Sequence, residues 1–168
     1  NQKGIKIFIE TAKLIKEKYN GFEFILIGKK EEGPDSIHLS EIEHFIKSGI
    51  IKYIESTNDV RKYLKNCKIF VLPSYYREGM PKTMIEAMSI GRPVVVSDIP
   101  GPKEIIKNKK HGILLDLKDE KSLFKAIEYF IKINKKKYNE ISENCRKTAV
   151  DIFDVKKINK IYENFLKI

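Results

Sequence analysis

The sequence predicts an α/β domain built on a doubly wound parallel sheet with helices on both faces. Three observations predict it. Segments with helical spacing alternate along the chain with short apolar runs. Those runs are almost continuously apolar, as strands buried on both faces of a parallel sheet are. Glycine and proline stand between the segments, where turns belong. At 168 residues the chain fits one domain, 1–168, with a sizeable core.

Ile5, Phe8, Ile9, Ala12 and Ile15 recur at helical spacing, so Lys3 to about Tyr19 reads as an amphipathic helix. Phe22 to Gly28 reads as a strand, and residues 29–39 as a polar loop carrying Gly33-Pro34. Ser40 with Glu43 forms a capping-box pattern for a helix to Lys47, ended by Gly49. Ile50 to Ile54 is a short strand, and Thr57 or Asn58 caps a helix through Leu64. Lys68 to Leu72 is a strand ended by Pro73. A helix from about Pro81 to Ile90 is stopped by Gly91, and Pro93 to Ser97 is the next strand. A short helix over Gly101–Lys107 and a strand over Gly112–Leu115 follow. Asp119 opens a helix through about Ile133, and helices near 137–150 and 155–167 complete the pattern.

The net charge is +10, yet only four of the 33 basic residues are arginine. Nucleic acid, anionic lipid and a phosphate-bearing substrate are the functional readings of such a charge. A Lys-, Ile- and Asn-rich composition explains it equally well. Scarce arginine and the absence of tryptophan argue against a nucleic-acid surface. No apolar run approaches a membrane span. Cys67 and Cys145 are too few for a disulfide framework, which makes a reducing, cytoplasmic setting the default. His38, His44 and His111 are dispersed, and no metal-ligand spacing is present. Neither G-x-x-x-x-G-K-[ST] nor G-x-G-x-x-G occurs.

Ligands of parallel sheets bind beyond the carboxyl ends of the strands. The segment at that edge with most chemistry is Glu78-Gly79-Met80-Pro81-Lys82-Thr83-Met84-Ile85-Glu86. Met80-Pro81 opens a helix, because proline suits its first position. The unpaired N–H groups of a first turn bind phosphate. Nearby carboxylates accept hydrogen bonds from sugar hydroxyls. This order suggests a site for a phosphorylated, hydroxyl-rich ligand. Glu78 and Glu86 taken alone read as surface charge; Lys3 and Arg77 are candidate phosphate cations, although a single lysine in so Lys-rich a chain reads on spacing as a solvated charge. Glu86 lies beside Ile85 and Ala87, where a buried carboxylate needs partners. Tyr75-Tyr76 can stack on a base or sugar, or pack.

Leu72-Pro73-Ser74, Arg77 to Pro81, Glu86-Ala87-Met88, Gly91 to Val95 and Gly101 to Glu104 follow one another in a known order. The chain resembles the retaining glycosyltransferases of family 4 (glycosyl transferases group 1, GT-B architecture). The likeness extends to Lys3-Gly4, Ile25 to Gly28 and His111 to Leu114. It implies the Rossmann-like C-terminal half of a two-domain enzyme. It also implies that the first strand of this half, the arginine that commonly accompanies the lysine, and the N-terminal acceptor domain lie outside the chain. Glu86 is then expected to hold the ribose of a nucleotide sugar, and Glu78 to lie near the transferred sugar. Backbone groups of Gly79, Met80, Pro81, Lys82 and Thr83 are expected at the sugar and diphosphate. Lys3 would neutralise diphosphate charge, and the base would sit against the loop after Ile54; Arg77 stays a donor-binding candidate as a phosphate cation by its residue type. No nucleophile is implied, and the mechanism is metal-independent and cofactor-free.

The run Tyr76 to Pro81 resembles enzymes of capsule, O-antigen and lipid-linked oligosaccharide synthesis. The likeness therefore implies a UDP-linked hexose or N-acetylhexosamine as donor. The acceptor would be a glycan or polyprenyl-diphosphate-linked sugar at the cytoplasmic membrane face, with peripheral contact to anionic lipid. Glycogen- and sucrose-type synthases, and a non-catalytic nucleotide-sugar-binding module, are the alternative readings. His111 stands where asparagine before glycine is common, and the turn is expected to tolerate it.

Overall fold

The computed structural model describes residues 3–29, 38–75, 79–117, 119 and 121–166. In chain order the elements are α1 Ile5–Lys18, β1 Ile25–Ile27, α2 Leu39–Lys47, β2 Lys52–Ile54 and α3 Arg61–Asn66. Next come β3 Phe70–Leu72, α4 Lys82–Ser89, β4 Val94–Ser97, α5 Pro102–Ile105 and β5 Gly112–Leu115. Helices α6 Ser122–Lys132, α7 Lys135–Phe153 and α8 Val155–Leu166 complete the order. The expected alternation is present throughout.

All strand pairs are parallel, in two ladders, β1-β2 and β3-β4-β5. The strands are shorter than their apolar runs, because a ladder needs a partner and not only an apolar sequence. Around the first, Lys52 N–H still donates to Phe24 O at 2.8 Å. Val94, Val95, Val96 and Ser97 of β4 are all buried. Successive strand residues face opposite sides, so β4 is covered on both. Helices α4 and α6 both touch it; α4 packs in turn on α7, and α6 on α1. Phe8, Ala12 and Ile15 of α1, Leu123 and Phe130 of α6, Met84 and Met88 of α4 and Ile141 of α7 form the bulk of this core.

The helix starts correct the sequence expectations by one or two residues, each for a local reason. The α1 helix begins at Ile5, because Gly4 holds a left-handed φ of 71°. On α2 the carboxylate that closes the N-terminus is Glu41, which accepts from the His38 N–H at 3.1 Å, so Ser40 is already helical. At α3 the capping acceptor is Asp59, whose Oδ1 takes the Arg61 N–H at 2.9 Å, rather than Thr57 or Asn58. Pro81 is the cap of α4 and not its first helical residue. Its fixed φ suits either place, and its carbonyl accepts from Met84 and Ile85. Gly91, at φ 73°, ends α4 as expected. Helix α7 runs longer than expected, opened by Asn134, whose side chain accepts from the Lys137 N–H at 2.9 Å. The exposed apolar residues Ile161, Tyr162, Phe165 and Leu166 are all on α8.

His111 does more than occupy a turn. Its ring is buried; Nδ1 accepts from the Lys107 N–H at 3.1 Å, so the ring proton sits on Nε2, which faces Thr148 Oγ1 at 3.0 Å. The Cys145 thiol donates to the His111 carbonyl at 2.9 Å, and burial pushes that thiol up to about 12. One residue thus clasps α7 to the turn before β5. Burial, with Lys110 and Lys107 nearby, lowers the imidazole pKa below its usual 6.5. A group with a depressed folded pKa of this kind takes up its proton first in the unfolded chain. Stability is therefore full above pH 6.5 and falls as the pH drops below it. The melting temperature is expected to decline from pH 7 to roughly pH 5, and His111→Asn to flatten that decline. A variant with the same slope as the parent would assign the decline to other groups.

Candidate functional site

The carboxyl ends of the three strands of the larger ladder lead into Pro73, Asp98 and Asp116. Helix α1 begins at the first of these. A Cβ placed on Gly4 would lie 2.0 Å from the Pro73 carbonyl oxygen, so only glycine lets the chain run this close. The neighbouring Lys3 is thereby carried to the end of β3, with its side chain exposed. Ser74 and Pro73 are buried under this contact.

From the same strand end the chain leads to α4. Gly79 is exposed, Met80 half-buried and Pro81 buried; Lys82 and Thr83, the first two helical residues, are exposed. Among the described residues nothing accepts a hydrogen bond from the Lys82 or Thr83 backbone N–H. These two amides, with the positive end of the helix dipole behind them, are suited to an anion. The inward face of α4 is Met84, Ala87 and Met88. Glu86 lies off that face and is exposed. The condition of burial, under which this carboxylate would need partners, is therefore not met: Ile85 and Ala87 flank it in sequence, but a helix turns successive residues about 100° apart.

Lys3 thus stands at the end of β3, and the Gly79–Thr83 segment, next in the chain, opens the helix that packs on β3 and β4. Ile54 belongs to the other ladder: it ends β2, and its carbonyl accepts from the Gly28 N–H at 3.1 Å. The Gly28 carbonyl takes the Tyr53 hydroxyl at 2.9 Å, so the ends of β1 and β2 are tied together. Residues 55 and 56 beyond Ile54 are exposed. Arg77 and Glu78, and with them Tyr76, lie outside the described residues. Tyr75 is half exposed over a shallow cleft lined by Ile7, Pro73, Leu115 and Ser122.

Two features of this edge were not legible in the sequence. One is the Asp59–Arg61 pair at the start of α3. Asp59 Oδ1 accepts from Arg61 Nε at 2.7 Å, and Oδ2 from a terminal nitrogen at 3.1 Å. The other is Ser97, at the carboxyl end of β4, whose hydroxyl is buried with no hydrogen-bond partner among the described residues. An unpaired buried hydroxyl is a cost, not a support, so Ser97→Ala is expected to leave stability unchanged or raise it by up to about 1 kcal/mol. Thermal melting checks this, and a drop of several degrees would mean that the hydroxyl has a partner.

Among the described residues no group of three or more His, Cys, Asp or Glu side chains could hold a metal ion. No helix among them is long and apolar enough to cross a membrane.

A family model described as glycosyl transferases group 1 matches residues 1–148. The chain is 34% identical over 166 residues to the N,N'-diacetylbacillosaminyl-diphospho-undecaprenol alpha-1,3-N-acetylgalactosaminyltransferase of Campylobacter jejuni, covering 99% of this chain and 41% of that protein. It is 32% identical over 169 residues to the UDP-Gal:alpha-D-GlcNAc-diphosphoundecaprenol alpha-1,3-galactosyltransferase of Escherichia coli, covering 98% and 42%. The chain therefore spans about two fifths of these relatives. Its fold matches the crystal structure of Anabaena Alr3699/HepE in complex with UDP, with a TM-score of 0.87 at 23% identity, over 99% of this chain and 45% of that one.

Proposed function

Because the chain belongs to the glycosyl transferases group 1 family, we propose that it is the donor-binding half of a retaining, metal-independent glycosyltransferase. In this reading it moves a hexose or N-acetylhexosamine from a UDP-sugar to a glycan or polyprenyl-diphosphate-linked acceptor. The observation that carries the reading is Lys3 held at the end of β3, with α4 packed on that strand, the first two amides of α4 without an acceptor among the described residues, and Glu86 exposed on the same helix. The diphosphate binds at the amides and Lys3, with Arg77 as a second cation, and Glu86 accepts from the ribose hydroxyls. Gly79, Met80 and Glu78 face the sugar, and the base lies on the loop after Ile54. As the bond between the anomeric carbon and the diphosphate oxygen breaks, its electron pair passes to that oxygen, the acceptor hydroxyl oxygen bonds to the anomeric carbon from the same face, and the hydroxyl proton passes to the departing diphosphate. Lys3 and the helix dipole stabilise the charge that develops there. Two relatives whose names specify undecaprenol-diphosphate-linked substrates support the acceptor class. On this reading the site works at the cytoplasmic face of a membrane, which the +10 charge suits if that face is anionic.

The relatives are more than twice as long as this chain, and in this reading an acceptor-binding domain belongs to the same protein. Among the described residues β1 pairs only with β2, and β3 only with β4, so each has an edge without a neighbour. One parallel strand between them would join the ladders into a single sheet. Calorimetric titration with UDP, GDP, ADP and a panel of UDP-sugars tests the proposal. Saturable binding to a uridine nucleotide, lost in Glu86→Ala, is the expected result. Absence of binding both here and in a chain extended by the preceding strand would overturn it.

A further inference from the structure

The smaller ladder ends in a mouth whose backbone groups are unequally free. The Gly28 N–H donates to the Ile54 carbonyl at 3.1 Å, which carries the pairing of β1 and β2 one residue beyond Ile27. The Gly28 carbonyl takes the Tyr53 hydroxyl at 2.9 Å. Both carbonyls at this strand end are therefore engaged. The N–H groups of Glu55 and Ser56, next along the chain, meet no acceptor among the described residues, and both residues are exposed. Gly28 is exposed too, with nothing within 4 Å of the place a Cβ would take. A flat ring can approach the peptide there. We propose that Tyr53 is a positioning residue for the base of the donor. By occupying the Gly28 carbonyl, its hydroxyl leaves a mouth that offers unpaired N–H groups, which suit the carbonyl oxygens of uracil and not the amino group of adenine.

This rests on the reading that a uridine nucleotide lies with its base on the loop after Ile54. Tyr53 is half-buried at the end of β2. Burial first, and then the Glu55 charge, raise its phenol above the usual 10, so the hydroxyl keeps its proton and stays a donor to Gly28 at neutral pH. Phenylalanine at this position would keep the ring and release the carbonyl. The freed acceptor would welcome an amino group and oppose a carbonyl oxygen. The exposed Glu55 carboxylate is common to parent and variant, so it drops out of the comparison.

The test is titration of the intact protein with UDP, ADP and inorganic diphosphate, in parent, Tyr53→Phe and Glu86→Ala. Tyr53→Phe is expected to weaken UDP by about two- to tenfold, the scale of one hydrogen bond. Affinity for ADP should stay the same or rise, and affinity for inorganic diphosphate should not change, so the preference for UDP over ADP falls. An unchanged preference in a folded Tyr53→Phe would overturn the positioning role. Equal weakening of all three ligands would also overturn it, because the hydroxyl would then only hold the ladder together. A parent that binds UDP and ADP alike, with Glu86→Ala still damaging to both, removes the base from this mouth and the inference with it, while the ribose reading stands. If Glu86→Ala is silent the ribose reading fails, and the Tyr53→Phe comparison still decides the base.

Discussion

Alanine at position 4 is expected to destabilise the fold by at least about 3 kcal/mol and to lower the melting temperature by roughly 6–12 °C. Two effects add. Gly4 sits at φ 71°, where an L side chain is strained by about 1–2 kcal/mol. Its Cβ would also fall 2.0 Å from the Pro73 oxygen and 2.8 Å from the carbonyl carbon, both main-chain atoms that no rotamer change can move. Gly21 separates the two effects, having φ 81° but nothing within 4 Å of the place a Cβ would take. Gly21→Ala therefore carries strain alone and is expected to lower the melting temperature by about 2–8 °C. Equal shifts in the two variants would mean that α1 and Pro73 part easily. The consequence reaches the site, because the contact that excludes a methyl group is the one that brings Lys3 to the end of β3. Any Gly4→Ala protein that still folds should bind a diphosphate more weakly than the Gly21→Ala protein.

What the sequence made legible follows the range of the forces involved. Helices and strands were readable because their signals are local: the spacing of Ile5, Phe8, Ala12 and Ile15, or the unbroken Val94-Val95-Val96. Gly91 was readable as a stop because few other residues tolerate its φ of 73°. Helix starts slipped where two polar side chains competed for the same amides. Asp59 rather than Asn58 closes α3, and Glu41 rather than Glu43 closes α2, and either choice satisfies the sequence pattern.

The division of the strands into two ladders was not legible, since which strand edges meet is decided by the whole chain. The same holds for His111. As a residue before glycine it reads as a turn filler; its burial and its bonds to Lys107 and Thr148 depend on α7 arriving from 37 positions away. At the candidate site the sequence identified the segment but not the exposure of its groups. The apolar neighbours of Glu86 suggest burial, yet Ala87 faces the core and Glu86 does not.

Replacing Glu86 by alanine is expected to weaken UDP binding by about 1–3 kcal/mol, or roughly five- to 150-fold in Kd, the scale of hydrogen bonds to a charged group. The exposure of Glu86 sharpens the test. A surface substitution away from the core moves stability by no more than about 0.5 kcal/mol, so the melting temperature of Glu86→Ala should stay within about 2 °C of the parent. Any loss of affinity is then a loss of contact and not of fold. On the proposed function, Glu78 provides the contrast in the whole transferase. A carboxylate beside the transferred sugar acts as the glycosidic bond breaks, whereas one at the ribose holds ground state and transition state alike. Glu78→Ala should therefore reduce kcat by more than it raises the Kd for UDP, and Glu86→Ala should raise the Kd for UDP with a smaller effect on kcat. The reverse pattern would exchange the two assignments. Equal losses in both quantities for Glu78→Ala would remove it from the sugar side, because a group that acts only on bond breaking has no reason to affect a nucleotide that carries no sugar.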